Sequence, residues 1–167
     1  MRSTMIWGFV LMLATAGASL VPSPAEAAFQ GFMKIPGLPG ESQFDLHKDE
    51  IDVVSYTQTA GTNACFKVIV IKNLDLASPG LAVLAVSNQV VSPVTIVLEK
   101  TGENPIDAFR AVLENVVVGT VELVEVDGSP IPTERVTLRP RRATLTYKAQ
   151  TATGSVGATT TTVITCP

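Results

Sequence analysis

The residues best suited to chemistry gather in one short stretch, where Asp45, His47, Asp49, Glu50 and Asp52 set the single histidine of the sequence among four carboxylates. An imidazole in such company can act as a general base or a metal ligand. The spacing fits neither an EF-hand loop nor HExxH, and no G-x-S-x-G elbow or second histidine completes a Ser/His/Asp arrangement. A hydrolase would have only His47 to use, so the stretch is read as a solvated surface loop flanked by glycine turns. Cys65 and Cys166 are the two cysteines; with no C-x-x-C spacing and one histidine they do not make a tetrahedral zinc shell. As an even pair they suit one disulfide, with two unrelated buried thiols as the alternative. A bridge would close a loop of about 100 residues, worth about 4.7 kcal/mol in the chain-entropy model. Residues 37–42 (Gly-x-x-Gly-Glu-Ser) lack the Gly-Lys-Ser/Thr of a phosphate loop and are read as backbone geometry. No catalytic, cofactor-binding or metal-ligating residue is therefore expected.

Arg135, Arg139, Arg141 and Arg142 are the one basic concentration. They could hold an anionic partner or line a pore; the plainer reading is the polar face of a strand whose charges guard an exposed edge. The formal net charge of −3 and the 5% aromatic content offer neither the basic face nor the stacking surface of a nucleic-acid binder.

The elements that must position these residues begin with a leader. Arg2 precedes an uncharged run over residues 5–18, followed by Pro22, Pro24 and Ala25-Glu26-Ala27. A short positive region, an apolar run too short to span a bilayer comfortably and small residues before the cut make a secretory signal peptide over residues 1–27, an uncleaved anchor being the alternative. Residues 28–167 form one domain, and 46% apolar content is ample for a core. With no other run of membrane length, this domain is expected to be exported, to the periplasm or the medium, and free of membrane contact.

Short strands dominate the mature chain. An apolar strand holding Phe32 and Ile35 meets two Pro-Gly turns, and a second runs from Ile51 to Tyr56. After a polar turn at residues 57–63, Phe66, Val68, Ile69, Val70 and Ile71 make a strand read as covered on both faces, by core or by a neighbouring subunit. Ser78 as N-cap and Pro79 at the first helical position open a helix over residues 79–87 that Asn88 can end. In residues 94–100, Val94, Ile96 and Leu98 share one face, and Thr95, Val97 and Glu99 the wetter one. Residues 107–114 fit helix or strand spacing. Gly119 marks a bulge. Beyond the turn at residues 127–130, Val136 and Leu138 have one parity but Ala143, Leu145 and Tyr147 the other, so a bulge or break is expected near residues 139–141. The last strand covers residues 159–166. Seven to nine short strands and one helix indicate a mainly β, antiparallel fold, a barrel or sandwich of two packed sheets.

The ordered set Phe32, Lys34, Ile35, Gly37, Gly40, Glu41 and Ser42, followed by Glu50-Ile51-Asp52-Val53, resembles the opening of the haemolysin co-regulated protein (Hcp) family, the tube subunits of type VI secretion. The run from Leu74 through Ser78-Pro79 to Ala85 resembles the family's short helix against the barrel wall. The resemblance implies a barrel with one helix at its side, a strand over residues 107–118, and six-membered rings stacked into a hollow tube that can carry effectors. It implies a homo-oligomer, other secretion-apparatus proteins or effectors as partners, and no enzyme activity. Two features depart from the family. Tube subunits are loaded from the cytoplasm, whereas this chain opens with an export leader, and the loop after the Ile-Asp-Val strand is short, about residues 57–63. A stand-alone exported Hcp-like binding module for protein or glycan is the alternative.

Overall fold

The computed structural model describes residues 29–61, 65–102, 105–125, 131–151 and 153–167. The leader through Ala27, the turn at residues 127–130 and parts of the turns around residues 63 and 103 lie outside the described residues.

Eight strands and one α-helix follow in the order β1 (Phe29–Lys34), β2 (Ile51–Gly61), β3 (Cys65–Asn73), α1 (Ser78–Ser87), β4 (Val90–Val91), β5 (Val94–Lys100), β6 (Ile106–Val124), β7 (Thr133–Gln150) and β8 (Val156–Thr165). A 3-10 turn, Asp45–His47, precedes β2. β6, β5, β1, β2, β3 and β7 each pair with the next, and a direct β6–β7 ladder closes six antiparallel strands into a barrel. β4 extends β6, and β8 extends the far half of β7. The expected barrel is therefore present as one sheet closed on itself, and the ambiguous segment after Pro105 is strand. Among the described residues no helix is long and apolar enough to cross a membrane.

Alternation fills the barrel. Met33, Ile51, Val68, Val70, Val94, Ile96, Val136 and Leu138 are almost fully buried in one cluster with Leu81 of α1. Removing each such side chain from water contributes about 1.5–3 kcal/mol.

Parity changes where the wall turns a corner. Ala111 and Leu113 point inward on β6, as do Val116 and Val118 further on, while Ala143 faces Leu113 and Pro140 faces Val116 across the ladder. Both strands thus skip one inward position together. Asn115, at φ 51°, absorbs the turn, a left-handed conformation asparagine tolerates well. β7 is one strand of 18 residues: the parity change behind the bulge or break expected near residues 139–141 is present, with Arg141 and Arg142 both exposed, and it is carried without a chain break. The irregularity expected at Gly119 is a register shift between Val118 and Thr120.

Two boundaries and one strand face differ from expectation. Residues 57–61 are not a turn; β2 runs on through Gly61 in register with β3 because their β-branched and small residues find partners there. Helix α1 starts at Ser78 with Ala77 as N-cap, and the Ser78 hydroxyl does not cap it. Asn88, left-handed at φ 52°, ends the helix as expected. On β5, Val97 and Glu99 are buried along with Val94 and Ile96, so the face expected to be wet is covered. What covers it is the segment between β1 and β2.

Cys65 and Cys166 form a disulfide with Cα atoms 5.6 Å apart, closing a loop of 101 residues. It ties the start of β3 to the end of the chain, where the Cys166 N–H also donates to the Arg141 carbonyl at 2.7 Å.

Candidate functional site

The segment joining β1 to β2 folds back over the outside of the barrel. Pro36-Gly37 makes a turn closed by the Leu38 N–H to the Ile35 carbonyl at 3.1 Å, with Gly37 at φ 78°, a conformation that favours glycine. Gly40 passes so close to the Glu50 backbone that a Cβ would collide with its carbonyl. Ser42, fully buried, donates its N–H to the Glu50 carbonyl at 3.0 Å and accepts from the Asp49 N–H at 3.0 Å. Those backbone bonds explain why glycines and a small polar residue stand at these positions. Ile35 and Ile51 anchor the two ends in the core, whereas Glu41 is exposed and Asp52 and Val53 are half-buried.

The fold-back delivers His47 to the barrel wall. Its ring stacks on Phe32, centroids 4.0 Å apart and planes 9° from parallel, and Phe44 meets the same Phe32 edge-on at 5.3 Å. His47 is 5% exposed, which corrects the expectation of a solvated loop. The apolar face of Phe32 points outward from the barrel and needs a cover, and the flat imidazole supplies one.

Around the ring the polar partners differ from the expected set. Nδ1 lies 2.9 Å from Glu50 Oε2, while Lys34 Nζ stands 3.8 Å from the other Glu50 oxygen. Nε2 faces Glu99 Oε2 of β5 at 3.7 Å and Asp107 Oδ1 of β6 at 3.6 Å, and has no hydrogen-bond partner. The other Asp107 oxygen accepts from Arg110 at 2.7 Å. Of the five residues singled out in the sequence, only His47 and Glu50 meet; Asp45 and Asp49 are exposed on the loop surface. Glu99 and Asp107 are 52 and 60 positions from His47 along the chain, and the one sequence signal for either is an acidic residue on a strand face. The burial of the imidazole leaves little surface by which a substrate could reach it, so a hydrolytic role for His47 has no support in the geometry.

A second buried polar cluster was not foreseen. Lys72 is fully buried on the inward parity of β3, and its ammonium donates to Asp75 Oδ1 and Glu134 Oε1, both at 2.8 Å, and to the Asn73 carbonyl at 2.7 Å. The Ser78 hydroxyl donates to Glu134 at 2.9 Å and receives the Asp75 N–H at 3.1 Å. Ser78 therefore secures the entry of α1 through this network, with Pro79 in the first turn.

Of the strand expected to lie against the core or a neighbour, Phe66, Val68 and Val70 point into the core and are 0–2% exposed. Only Ile69 and Ile71 are half-buried on the outer face. The arginines are exposed, as their strand reading requires, but β7 is not an edge: β3 and β6 flank its first half and β6 and β8 its second. Arg135 instead faces Glu122, and Arg142 faces Glu114, each at 3.5 Å.

Among the described residues, a closed antiparallel barrel with one helix, an outer flap carrying the Phe32–His47 stack and a disulfide defines a β-barrel protein. The family model described as "Type VI secretion system effector, Hcp" matches residues 32–147, and the chain belongs to that family. Among solved structures, Hcp1 from Salmonella typhimurium is 26% identical, with a TM-score of 0.71 over 83% of this chain and 94% of that one. A type VI secretion system effector from Yersinia pestis shares the fold at 22% identity, TM-score 0.70, over 81% and 98%. So does the secreted protein Hcp3 from Pseudomonas aeruginosa, at 18% identity, TM-score 0.66, over 84% and 99%. No curated protein matches at a significant level.

Proposed function

We propose that the chain is an exported, ring-forming subunit of the type VI secretion tube, with a structural rather than a catalytic role. The observation that carries this reading is the family match over residues 32–147 on a barrel closed by the β6–β7 ladder. In the rings that the family resemblance implies, six barrels associate side by side. Ile69 and Ile71 are the part of β3 left to meet a neighbour, and Val54, 51% exposed at the β2 register shift, adds apolar surface. Effectors or other parts of the apparatus are the partners, and the leader is removed after Ala27. A stand-alone exported binding module is the second reading. The leader favours it, since tube subunits are loaded from the cytoplasm.

Native mass spectrometry and light scattering on the exported protein separate the two. A six-fold mass, lost in Ile71→Asp with an unchanged circular-dichroism spectrum, supports the ring. A monomer at micromolar concentration rejects the ring and selects the module.

A further inference from the structure

We propose that His47 Nε2, Glu99 and Asp107 form a binding site for one first-row transition cation, with Zn²⁺ as its archetype, which pins the β1–β2 flap to the barrel wall. The three ligand atoms lie within 4.8 Å of one another. Tetrahedral zinc with bonds of 2.0–2.2 Å sets its ligand atoms about 3.3–3.6 Å apart. The 3.6 and 3.7 Å from Nε2 to the two carboxylates match that spacing to within a few tenths of an ångström, and the two carboxylates, within 4.8 Å of each other, must draw together to complete it.

The independent observation is Nε2 itself. It belongs to a side chain 6% exposed, has no hydrogen-bond partner, and points at two acceptor-only carboxylates. In the tautomer whose Nδ1–H donates to Glu50, Nε2 turns a lone pair toward the two carboxylates, an arrangement that a cation between them would resolve. Glu50 is placed as a positioning residue: metal-binding histidines generally donate their other N–H to a carboxylate, which fixes ring orientation and tautomer. Stacking on Phe32 holds the ring plane, and Arg110 holds the far oxygen of Asp107. One imidazole with two carboxylates suits zinc and its first-row neighbours, whereas Mg²⁺ and Ca²⁺ take oxygen shells. Because the ligands come from the 3-10 turn, β5 and β6, occupancy would fasten the flap to two strands distant in sequence. This inference is independent of ring assembly.

The protein, produced with its own leader and no polyhistidine tag, is stripped with chelator and titrated with Zn²⁺ by calorimetry and with Co²⁺ by visible absorption. One Zn²⁺ per chain, a raised melting temperature and an intense four-coordinate Co²⁺ spectrum are expected. Glu99→Gln and Asp107→Asn, each checked for an unchanged circular-dichroism spectrum, should weaken binding at least tenfold. Glu50→Gln should weaken it about 10–100-fold while preserving the Co²⁺ band shape. Imidazole nitrogen NMR should show Nε2, and not Nδ1, changing on Zn²⁺ addition. No stoichiometric binding, equal binding of Mg²⁺, or Zn²⁺ affinity unchanged in both Glu99→Gln and Asp107→Asn would overturn the proposal.

Discussion

Removing the Lys72 charge tests the most exposed assumption about what holds the helix to the barrel. In Lys72→Met, Glu134, 3% exposed, keeps only the Ser78 hydroxyl, and Asp75 keeps the Ala77 N–H at 2.9 Å. Two carboxylates would then face one another with no cation between them. Breaking a buried pair by deleting one partner typically destabilises by about 3–5 kcal/mol, since an uncompensated charge stays behind. With a urea slope of about 2 kcal/mol per molar, that lowers the unfolding midpoint by roughly 2 M. The double variant Lys72→Met/Glu134→Leu removes both of the most deeply buried charges and leaves Asp75 at the rim of the network. It should regain most of the loss, because apolar replacements of similar volume are often neutral. Urea unfolding followed by circular dichroism on the wild type, both singles and the double gives the coupling directly. A Lys72→Met midpoint within about 0.3 M of wild type, or a double variant no more stable than the single, would refute the account of this network as a paired, charge-balanced unit.

Reducing the Cys65–Cys166 bridge, which closes 101 residues, should lower stability by about 4.7 kcal/mol, and a free-thiol assay on the unfolded, unreduced protein should find none. A loss under about 1 kcal/mol would show that the reduced chain retains that loop's structure. Gly40→Ala forces a methyl into the Glu50 carbonyl, so the flap must shift, at about 1–3 kcal/mol, and the ring-current shifts of the Phe32–His47 stack should change; unchanged NMR shifts would contradict the close approach. Burial pushes the Tyr56 phenol above the usual tyrosine range. Because the folded value is the raised one, the neutral phenol favours the fold below about pH 10, and that contribution disappears as pH climbs through the folded value. Phenolate absorbance should show a late phase that Tyr56→Phe removes; its persistence in that variant would assign the phase elsewhere.

Much of the wall was legible in the linear pattern. Residues 94–100 form the strand expected, Gly119 marks a register shift, Asn88 ends the helix and the two cysteines pair. Each rests on local chemistry: period-two β-branched runs, a backbone without a Cβ, a left-handed asparagine, an even thiol count. The Phe32–Val53 motif also had local causes, a positive φ at Gly37 and the crowding of Gly40 against Glu50.

What local chemistry could not determine was which residues come together across the barrel. His47 read as solvated because it lies among carboxylates in a glycine-flanked stretch, yet the flap folds it onto Phe32 and brings it to Glu99 and Asp107 from two later strands. Lys72 directly follows the apolar run of β3 and carries no motif, yet its inward parity buries it against Glu134 of β7. Parity tells which side of a strand a residue occupies, but whether that side is wet depends on what the rest of the chain lays over it. Two strands rather than one had to skip a position at Asn115 for the wall to turn, so β7 carries the parity change its own pattern predicted without a chain break. Sequence spacing determined the strands; closure of the sheet, and the segment folded over its outside, decided which charges were taken from water and therefore had to find one another.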